Sequence, residues 1–218
     1  MDQYNRRKFL RDVSQTSLHF FVAFNLGCAI KETNKSASTK RTAIIYGTRY
    51  GATLDTAQWI SKGLQGSVDL INIEDLNFEN TLSNYDQFIL GSGVWVGGVH
   101  SRLKDFVSKH SNRLQNKVIA SFVVCGSQNN TEAGRKQIKN YLAQINTPLT
   151  YEPQFVRQFG GRIEVDKLSK EDRNALSRFY KKYLNKELEN WDRTDETLAK
   201  NFGEELKEIV IQHKSKPF

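Results

Sequence analysis

The feature that most constrains the fold is an alternation of short apolar runs with amphipathic segments after residue 41. Strands are predicted at residues 42–46, 68–73, 87–91, 118–125 and 155–159. Helices are predicted at residues 54–64, 101–110, 131–145 and 194–212. The longest apolar runs are almost continuous, as is typical of strands that are covered on both faces. The alternation therefore predicts an α/β domain with a parallel sheet and helices on both sides of it.

Length, cysteine content and charge exclude several classes of protein. A chain of 218 residues is long enough for one domain with a substantial core and appendages. Its two cysteines, Cys28 and Cys125, are too few for a disulfide framework and too isolated for a zinc site, so no metal site is predicted. Half of the net charge of +8 lies in residues 1–40. The rest of the chain shows no basic stripe with interleaved aromatics, so nucleic acid is not predicted as a partner.

The first 30 residues have the pattern of an export signal. Arg6 and Arg7 precede Phe9 and Leu10, and the apolar run that follows at 13–30 is too polar to predict a membrane span. The segment resembles a twin-arginine signal, which implies export of a folded protein to the periplasm or the outer face of the cytoplasmic membrane. A basic amphipathic N-terminal helix is the alternative.

The end of this segment raises the question of a lipid anchor. Residues 26–28, Leu-Gly-Cys, resemble the end of a lipoprotein cleavage box, although Asn25 stands where leucine is usual. Lipidation of Cys28, simple cleavage and an uncleaved tether all remain open. Residues 31–41 are rich in Ser, Thr and Lys and are predicted to be a flexible linker. The folded domain is predicted to cover residues 42–213.

The loop at residues 48–53, TRYGAT, follows the first predicted strand and precedes the first predicted helix. Ligands bind at the carboxyl edge of such sheets, and the N–H groups of a helix N-terminus face an anion there. Gly51 permits backbone angles that a side chain would obstruct, and the hydroxyls of Thr48 and Thr53 can donate to phosphate oxygens. Thr53 as a simple helix N-cap is the alternative. The loop lacks the lysine of a Walker loop and the three glycines of a dinucleotide loop, so it favours a monophosphate.

The stretch YGTRYGATLDTA, residues 46–57, resembles the phosphate loop of flavodoxins, which bind flavin mononucleotide (FMN). The resemblance implies a flavodoxin-like, doubly wound, five-stranded parallel sheet with helices on both faces, and FMN as the cofactor. It assigns the cofactor contacts to the loops after the first, third and fourth predicted strands. The predicted cofactor-binding residues are Thr48, Arg49, Tyr50, Gly51, Ala52, Thr53, Ser92, Gly93, Val94, Trp95, Val96, Gly97, Cys125, Gly126 and Ser127.

Three side chains near these loops each allow two interpretations. Trp95 either stacks on the flavin ring or caps the core. Cys125 is either a redox thiol or a small packed residue at the end of an apolar strand. His100 either donates a proton or helps to start the following helix. No catalytic residue is assigned, because a flavin performs the redox step itself while the protein supplies orientation and electrostatics.

Within the flavodoxin-like group, the chain resembles the flavodoxin-type, menaquinone-dependent protoporphyrinogen oxidases over most of residues 42–211. The motifs that carry this resemblance are Tyr85-Asp86, GVHSRLKDFVSKHSNRL at 98–114, Gly160-Gly161 and TDE at 194–196. Trp95-Val96 replaces an Arg-Tyr pair of that family. The resemblance implies an oxidoreductase that passes electrons from a reduced donor, such as a porphyrinogen, through FMN to a quinone.

Two other functions remain open. One is a flavodoxin-type electron carrier between redox protein partners, but typical flavodoxins dock through a strongly acidic surface, and this domain is mildly basic. The other is an interaction module without flavin. An exported protein would also lie across the membrane from the usual site of haem synthesis, so the electron donor of an enzyme is left open.

The segment at 166–196 also allows two interpretations. Its sequence predicts a capping box at Ser169 and Asp172 and an apolar stripe beside several lysines. The stripe consists of Leu168, Leu176, Phe179, Tyr180, Tyr183, Leu184 and Leu188. It would either approach a membrane surface and its quinone or pack on its own domain, and acidic neighbours such as Glu171 and Glu187 weaken the membrane interpretation.

Overall fold

The computed structural model describes residues 41–75, 82–96 and 98–212. The signal segment predicted at 1–30, the predicted linker up to residue 40, Cys28 and Gly97 lie outside the described residues. Residue 213, the predicted end of the domain, lies outside them as well. The fold and its contacts are therefore those of the described part of the chain.

Five parallel strands form the main sheet, and a short sixth strand pairs antiparallel with one of them. The first six strands are β1 (Thr42–Gly47), β2 (Val68–Asn72), β3 (Gln87–Trp95), β4 (Gly98–Val99), β5 (Val118–Cys125) and β6 (Phe155–Gly160). The parallel order is β2-β1-β3-β5-β6, and β4 folds back on the end of β3. The predicted flavodoxin-like, doubly wound, five-stranded sheet is confirmed.

Helices cover both faces of this sheet. They are α1 (Ala52–Leu64), α2 (Ser101–Leu114), α3 (Glu132–Asn146), α4 (Lys170–Phe179) and α5 (Glu196–Gln212). Successive β1 side chains point to opposite faces: Ile45 packs in a core cluster with α2 and α3, and Ile44 in a second cluster with α1 and α5. The four predicted helices are therefore present, and their apolar faces bury the central strands on both sides.

Residues 161–195, from here on the insertion, lie between β6 and α5. They contain α4 and an antiparallel pair of short strands, β7 (Arg162–Ile163) and β8 (Trp191–Asp192). The sequence pattern predicted no strand in this segment, because two-residue strands leave no periodicity. The insertion has its own small cluster of buried side chains, Ile163, Leu168 and Leu176. Tyr50 and Trp95, from two loops at the carboxyl edge of the main sheet, pack against that cluster.

Only some residues of the apolar stripe predicted in the insertion are buried, and others are exposed to solvent. Leu168 and Leu176 are buried, and Tyr180 and Leu188 pack beside them. Tyr183 and Leu184, in a π-helical turn, are 64% and 47% exposed. Within 41–75, 82–96 and 98–212, no helix combines the length and the apolar character needed to cross a membrane.

The contact between α1 and α5 allows a test of this packing. A Cβ added to Gly203 would lie 2.2 Å from the carbonyl oxygen of Ile60, and one added to Gly63 would lie 2.1 Å from that of Lys200. We expect Gly203→Ala to lower the free energy of unfolding by about 2 kcal/mol in urea denaturation, because backbone atoms would have to move apart. Gly66→Ala is the matched control, since the nearest neighbour there is 3.8 Å away. Unchanged stability of Gly203→Ala would contradict the close approach of the two helices.

Candidate cofactor site at the carboxyl edge of the sheet

The pairing register brings three loops together at one edge of the sheet. Gly47, the last residue of β1, pairs with Ser92 of β3, and Ser92 pairs with Val123 of β5. The chain order reverses between β1 and β3, so that β2 lies on one side of β1 and the later strands lie on the other. Such a reversal leaves a crevice outside the carboxyl ends of the strands, which is where open α/β sheets bind ligands.

The first loop, residues 48–53 and from here on the phosphate loop, has the geometry of an anion site. Gly51 has φ of 90° and is the N-cap of α1, but no side chain caps that end of the helix. By contrast, Thr131 accepts from the N–H of Gly134 at the start of α3. Backbone N–H groups at the start of α1 thus lack a side-chain acceptor and can donate to an anion.

The two threonines of the phosphate loop have different roles. The Oγ1 of Thr48 accepts a hydrogen bond from the Gly51 N–H at 3.0 Å and so closes the turn. Thr53 is only 2% exposed, and its Oγ1 would lie 2.8 Å from a Cβ added to Gly93. The N-cap interpretation of Thr53 is wrong, because the helix begins at Ala52 and Gly51 occupies the N-cap position. The Thr53 hydroxyl instead faces the backbone of β3 at Gly93.

A second arginine beside the phosphate loop was not predicted. Arg162, from β7, forms an ion pair with Asp55 in the first turn of α1, with 2.6 Å between nitrogen and oxygen. Its guanidinium also lies 3.4 Å from the position of a Cβ on Gly51. Arg162 thereby offsets the negative charge that Asp55 places at this helix end. The uncapped N–H groups and the hydroxyls of the loop fit a monophosphate, and Arg162, which also lies 3.4 Å from a Glu164 oxygen, compensates the carboxylate charge beside them.

The second loop is a hairpin formed by the end of β3 and β4. Ser92 is fully buried; its hydroxyl donates to the Gly93 carbonyl and accepts from the His100 N–H at 2.9 Å. Val94 and Trp95 pair with β4. Val96 is exposed, and the remaining predicted residue, Gly97, is outside the described part of the chain. The Ser92 hydroxyl therefore holds the hairpin together, and the hairpin presents Trp95 beside the phosphate loop.

Trp95 lies among residues of the phosphate loop and the insertion. The centroid of its ring is 5.6 Å from that of Tyr50, and the Arg49 guanidinium lies 4.9 Å from it, over the ring. Trp95 is half-buried against the insertion cluster and takes no part in the two main core clusters. Trp95 therefore packs on the insertion cluster, and its stacking on a flavin stays a prediction.

His100 lies close to the end of β1. A Cβ on Gly47 would be 2.7 Å from its ring, and its Nε2 is 3.3 Å from a Glu74 carboxylate oxygen. His100 occupies the N-cap position of α2 without a side-chain capping bond. Its Nδ1 is buried and has no hydrogen-bond partner among the described residues. Its ring thus packs across the end of β1 and does not cap α2.

The third loop follows β5 and is covered by the insertion. Gly126 lies against the ring of Trp191, and its carbonyl accepts a hydrogen bond from Arg193 at 3.0 Å. The Ser127 carbonyl accepts from the Gln158 amide at 3.4 Å. Cys125 is 4% exposed, and burial raises the pKa of its thiol above the usual value. A buried thiol with a raised pKa favours the interpretation of Cys125 as a packed residue over that of a redox group.

Comparison with known proteins identifies the fold family. The family model of the flavodoxin domain matches residues 43–189. The chain belongs to the flavodoxin-domain family. FMN is the cofactor of flavodoxin domains, and the geometry of the phosphate loop fits its single phosphate group. The predictions of the family and of FMN are confirmed.

Individual relatives are more distant. Protoporphyrinogen IX dehydrogenase (quinone) of Escherichia coli strain K12 is 30% identical over 87 residues, which are 38% of this chain and 48% of that protein. The chain thus spans about half the length of the curated relatives it matches. The flavodiiron core of Flv1 from Synechocystis shows the same fold, with 14% identity over 82% of this chain and 38% of its own, at a TM-score of 0.50. A Fusobacterium nucleatum flavodoxin bound to FMN is 15% identical over 80% of this chain and 98% of its own, at a TM-score of 0.48.

The environment of Cys125 predicts slow thiol chemistry. In a Cys28→Ser background, we expect Cys125 in the native protein to react with a thiol reagent at pH 8 at least tenfold more slowly than free cysteine. The physical reasons are poor access and a thiol pKa raised by burial, which lowers the thiolate fraction. The measurement is the rate of colour release by an aromatic disulfide, with urea-unfolded protein as the control. Equal rates in the folded and unfolded protein would contradict the burial of this thiol.

Proposed function

We propose that the protein is an FMN-dependent oxidoreductase that passes electrons from a reduced donor through FMN to a quinone, in the manner of the protoporphyrinogen oxidase it resembles. The observation that carries the proposal is the phosphate loop, with its uncapped α1 N-terminus, at the reversal of strand order. The partial identity to protoporphyrinogen IX dehydrogenase supports this choice of enzyme among flavodoxin-like functions.

The predicted cofactor-binding residues have distinct roles in this proposal. The uncapped N–H groups at the start of α1 and the hydroxyls of Thr48 and Thr53 would hold the phosphate, while Arg162 compensates the charge of Asp55 beside them. The loops at 92–96 and 125–127 would contact the flavin ring, and Trp95 would stack on it. FMN, when bound, would supply the redox chemistry. The protein binds and orients the cofactor and shields it from water.

The insertion favours a small-molecule donor over a protein partner. It covers the loop after β5 through Trp191 and Arg193, and it packs against Trp95. An electron carrier needs an exposed cofactor edge that a partner can dock against, and its docking is usually assisted by complementary charge. The insertion restricts that edge, and the domain is not strongly acidic.

The exposed tip of the insertion is proposed to face the membrane that holds the quinone. Tyr183 and Leu184 are exposed, and Lys181, Lys182 and Lys186 lie beside them. Apolar and aromatic side chains flanked by lysines suit the interface of an anionic bilayer. The acidic residues elsewhere in the insertion limit the strength of such a contact.

We also propose export by a twin-arginine route, with FMN bound before transport, to the periplasm or the outer face of the cytoplasmic membrane. Arg6-Arg7 followed by Phe9 and Leu10 supports this route, since twin-arginine export accepts folded proteins. Lipidation at Cys28 would anchor the protein near its quinone. These residues precede the part of the chain that the structure describes.

A redox titration tests the proposed reaction. We expect protein purified without added flavin to show flavin absorbance that bleaches with protoporphyrinogen under anaerobic conditions and returns on addition of a menaquinone analogue. A Thr48→Val, Thr53→Val variant is the control; it should lose most of the flavin band because it lacks both hydroxyls of the phosphate loop. Flavin bands that ignore both reagents would favour an electron carrier or another donor. No flavin band, even after reconstitution with FMN, would contradict the proposal.

A further inference from the structure

The insertion holds the phosphate loop through one buried carboxylate. Asp172, in the first turn of α4, has a polar side chain that is nevertheless only 5% exposed. Its two oxygens accept hydrogen bonds from Nε and a terminal nitrogen of Arg49, at 2.7 and 2.6 Å. One of these oxygens also accepts the hydroxyl proton of Tyr50. A residue of the insertion thus binds both residues that immediately precede Gly51.

The same contacts extend to Trp95. The Arg49 guanidinium lies over the Trp95 ring at 4.9 Å while it pairs with Asp172, and the Tyr50 ring lies 5.6 Å from the Trp95 ring. Asp172 therefore orders two side chains that both contact Trp95. Through them, one carboxylate connects the insertion to the phosphate loop and to the hairpin after β3.

Asp172 is not needed as a capping residue for α4. The hydroxyl of Ser169 already accepts from the Asp172 N–H at 3.1 Å, which is one half of the predicted capping box. In the other half, the carboxylate would accept from the Ser169 N–H, but the Tyr50 hydroxyl oxygen accepts that hydrogen bond instead. The carboxylate is thus directed away from its own helix and toward the phosphate loop.

Packing alone does not explain this residue either. Burying a carboxylate costs free energy, and an apolar side chain of similar volume generally packs a domain contact as well or better. The bidentate pair with Arg49 offsets the cost only in one geometry, because both oxygens and both nitrogens must be aligned. Such a contact specifies the conformation of residues 49 and 50 more sharply than the apolar cluster beside it does.

We propose that Asp172 is a positioning residue for the cofactor site: through Arg49 and Tyr50 it holds the phosphate loop in the conformation that binds the FMN phosphate. This inference rests on the proposed function. The insertion is then a structural part of the FMN site as well as a cover over it.

The test compares three variants of the full-length protein. We expect Asp172→Asn to raise the Kd for FMN at least tenfold, because the amide cannot accept from Arg49 on both sides. Asp172→Glu keeps a carboxylate and should restore the Kd to within threefold of wild type. Asp166→Asn, at an exposed acid of the same insertion, is the matched control and should leave the Kd unchanged. The Kd is measured by FMN fluorescence quenching, and urea denaturation of each apoprotein verifies that it is folded.

A coupling measurement separates positioning from general stability. The double variant Arg49→Gln, Tyr50→Phe lacks both partners of the Asp172 carboxylate. If Asp172 acts through the phosphate loop, adding Asp172→Asn to this double variant should raise the Kd for FMN by less than threefold, because the contacts with residues 49 and 50 are already lost. The milder Tyr50→Phe removes one hydroxyl and should raise the Kd about threefold, which gives a measurement even where Asp172→Asn folds poorly.

The outcomes distinguish this inference from the proposed function. Wild-type protein that binds FMN, with an Asp172→Asn variant that is less stable but binds equally well, would overturn the positioning role alone. The positioning role would also be overturned if Asp172→Asn weakened FMN binding by the same factor in the wild type and in the Arg49→Gln, Tyr50→Phe double variant. Wild-type protein that binds no FMN would overturn the proposed function, and this inference with it.

Discussion

Burial of the central strands on both faces is the constraint on which the site depends. The residues of β1 are buried throughout, and most of β3 and β5 is buried as well. A strand covered on both sides cannot slip by one residue without moving apolar side chains to the opposite face and into different packing. The register that aligns Gly47 with Ser92 and Ser92 with Val123 is fixed in this way. Three loops of very different sequence therefore meet at one edge, at the strand reversal between β1 and β3, where open α/β sheets bind ligands.

The sequence predicts the strands and the loops that follow them, because these depend on patterns among neighbouring residues. Each central strand is an apolar run, and its end is followed by small or hydroxylated residues, so the positions of the phosphate loop and the loop after β5 are readable. The predicted strand at 118–125 agrees with β5 to the residue. The first helix begins two residues earlier than predicted, because Gly51 acts as a cap through its backbone and leaves no side-chain signal.

Other features depend on contacts between distant residues, and no local pattern reports them. The strand predicted at 87–91 continues as β3 to Trp95, because β4 returns alongside it in a hairpin. Asp172 has the spacing of a capping residue, yet its carboxylate binds Arg49, 123 positions away in sequence. The apolar stripe at 168–188 is periodic, but periodicity alone does not predict that Leu176 is buried and Tyr183 is exposed. The capping box predicts the start of α4, but it does not predict which residue the Asp172 carboxylate binds.

The insertion contacts all three loops of the candidate cofactor site. Contacts through Asp172, Trp191 and Arg193 reach two of the three loops directly, and contacts with Trp95 reach the third. In the proposed function, these loops would hold the cofactor and the insertion would limit which molecules approach it.

The most direct test of the central claim is the affinity of the apoprotein for FMN compared with riboflavin, measured by isothermal titration calorimetry. The two ligands share the ring and differ in the phosphate, so the ratio of their Kd values isolates the phosphate loop. Charge-assisted hydrogen bonds from the α1 N-terminus and the threonine hydroxyls should make FMN bind at least a hundredfold more tightly, which is about 2.8 kcal/mol. Equal affinity for the two ligands, or no binding of either, would contradict a phosphate site at residues 48–53.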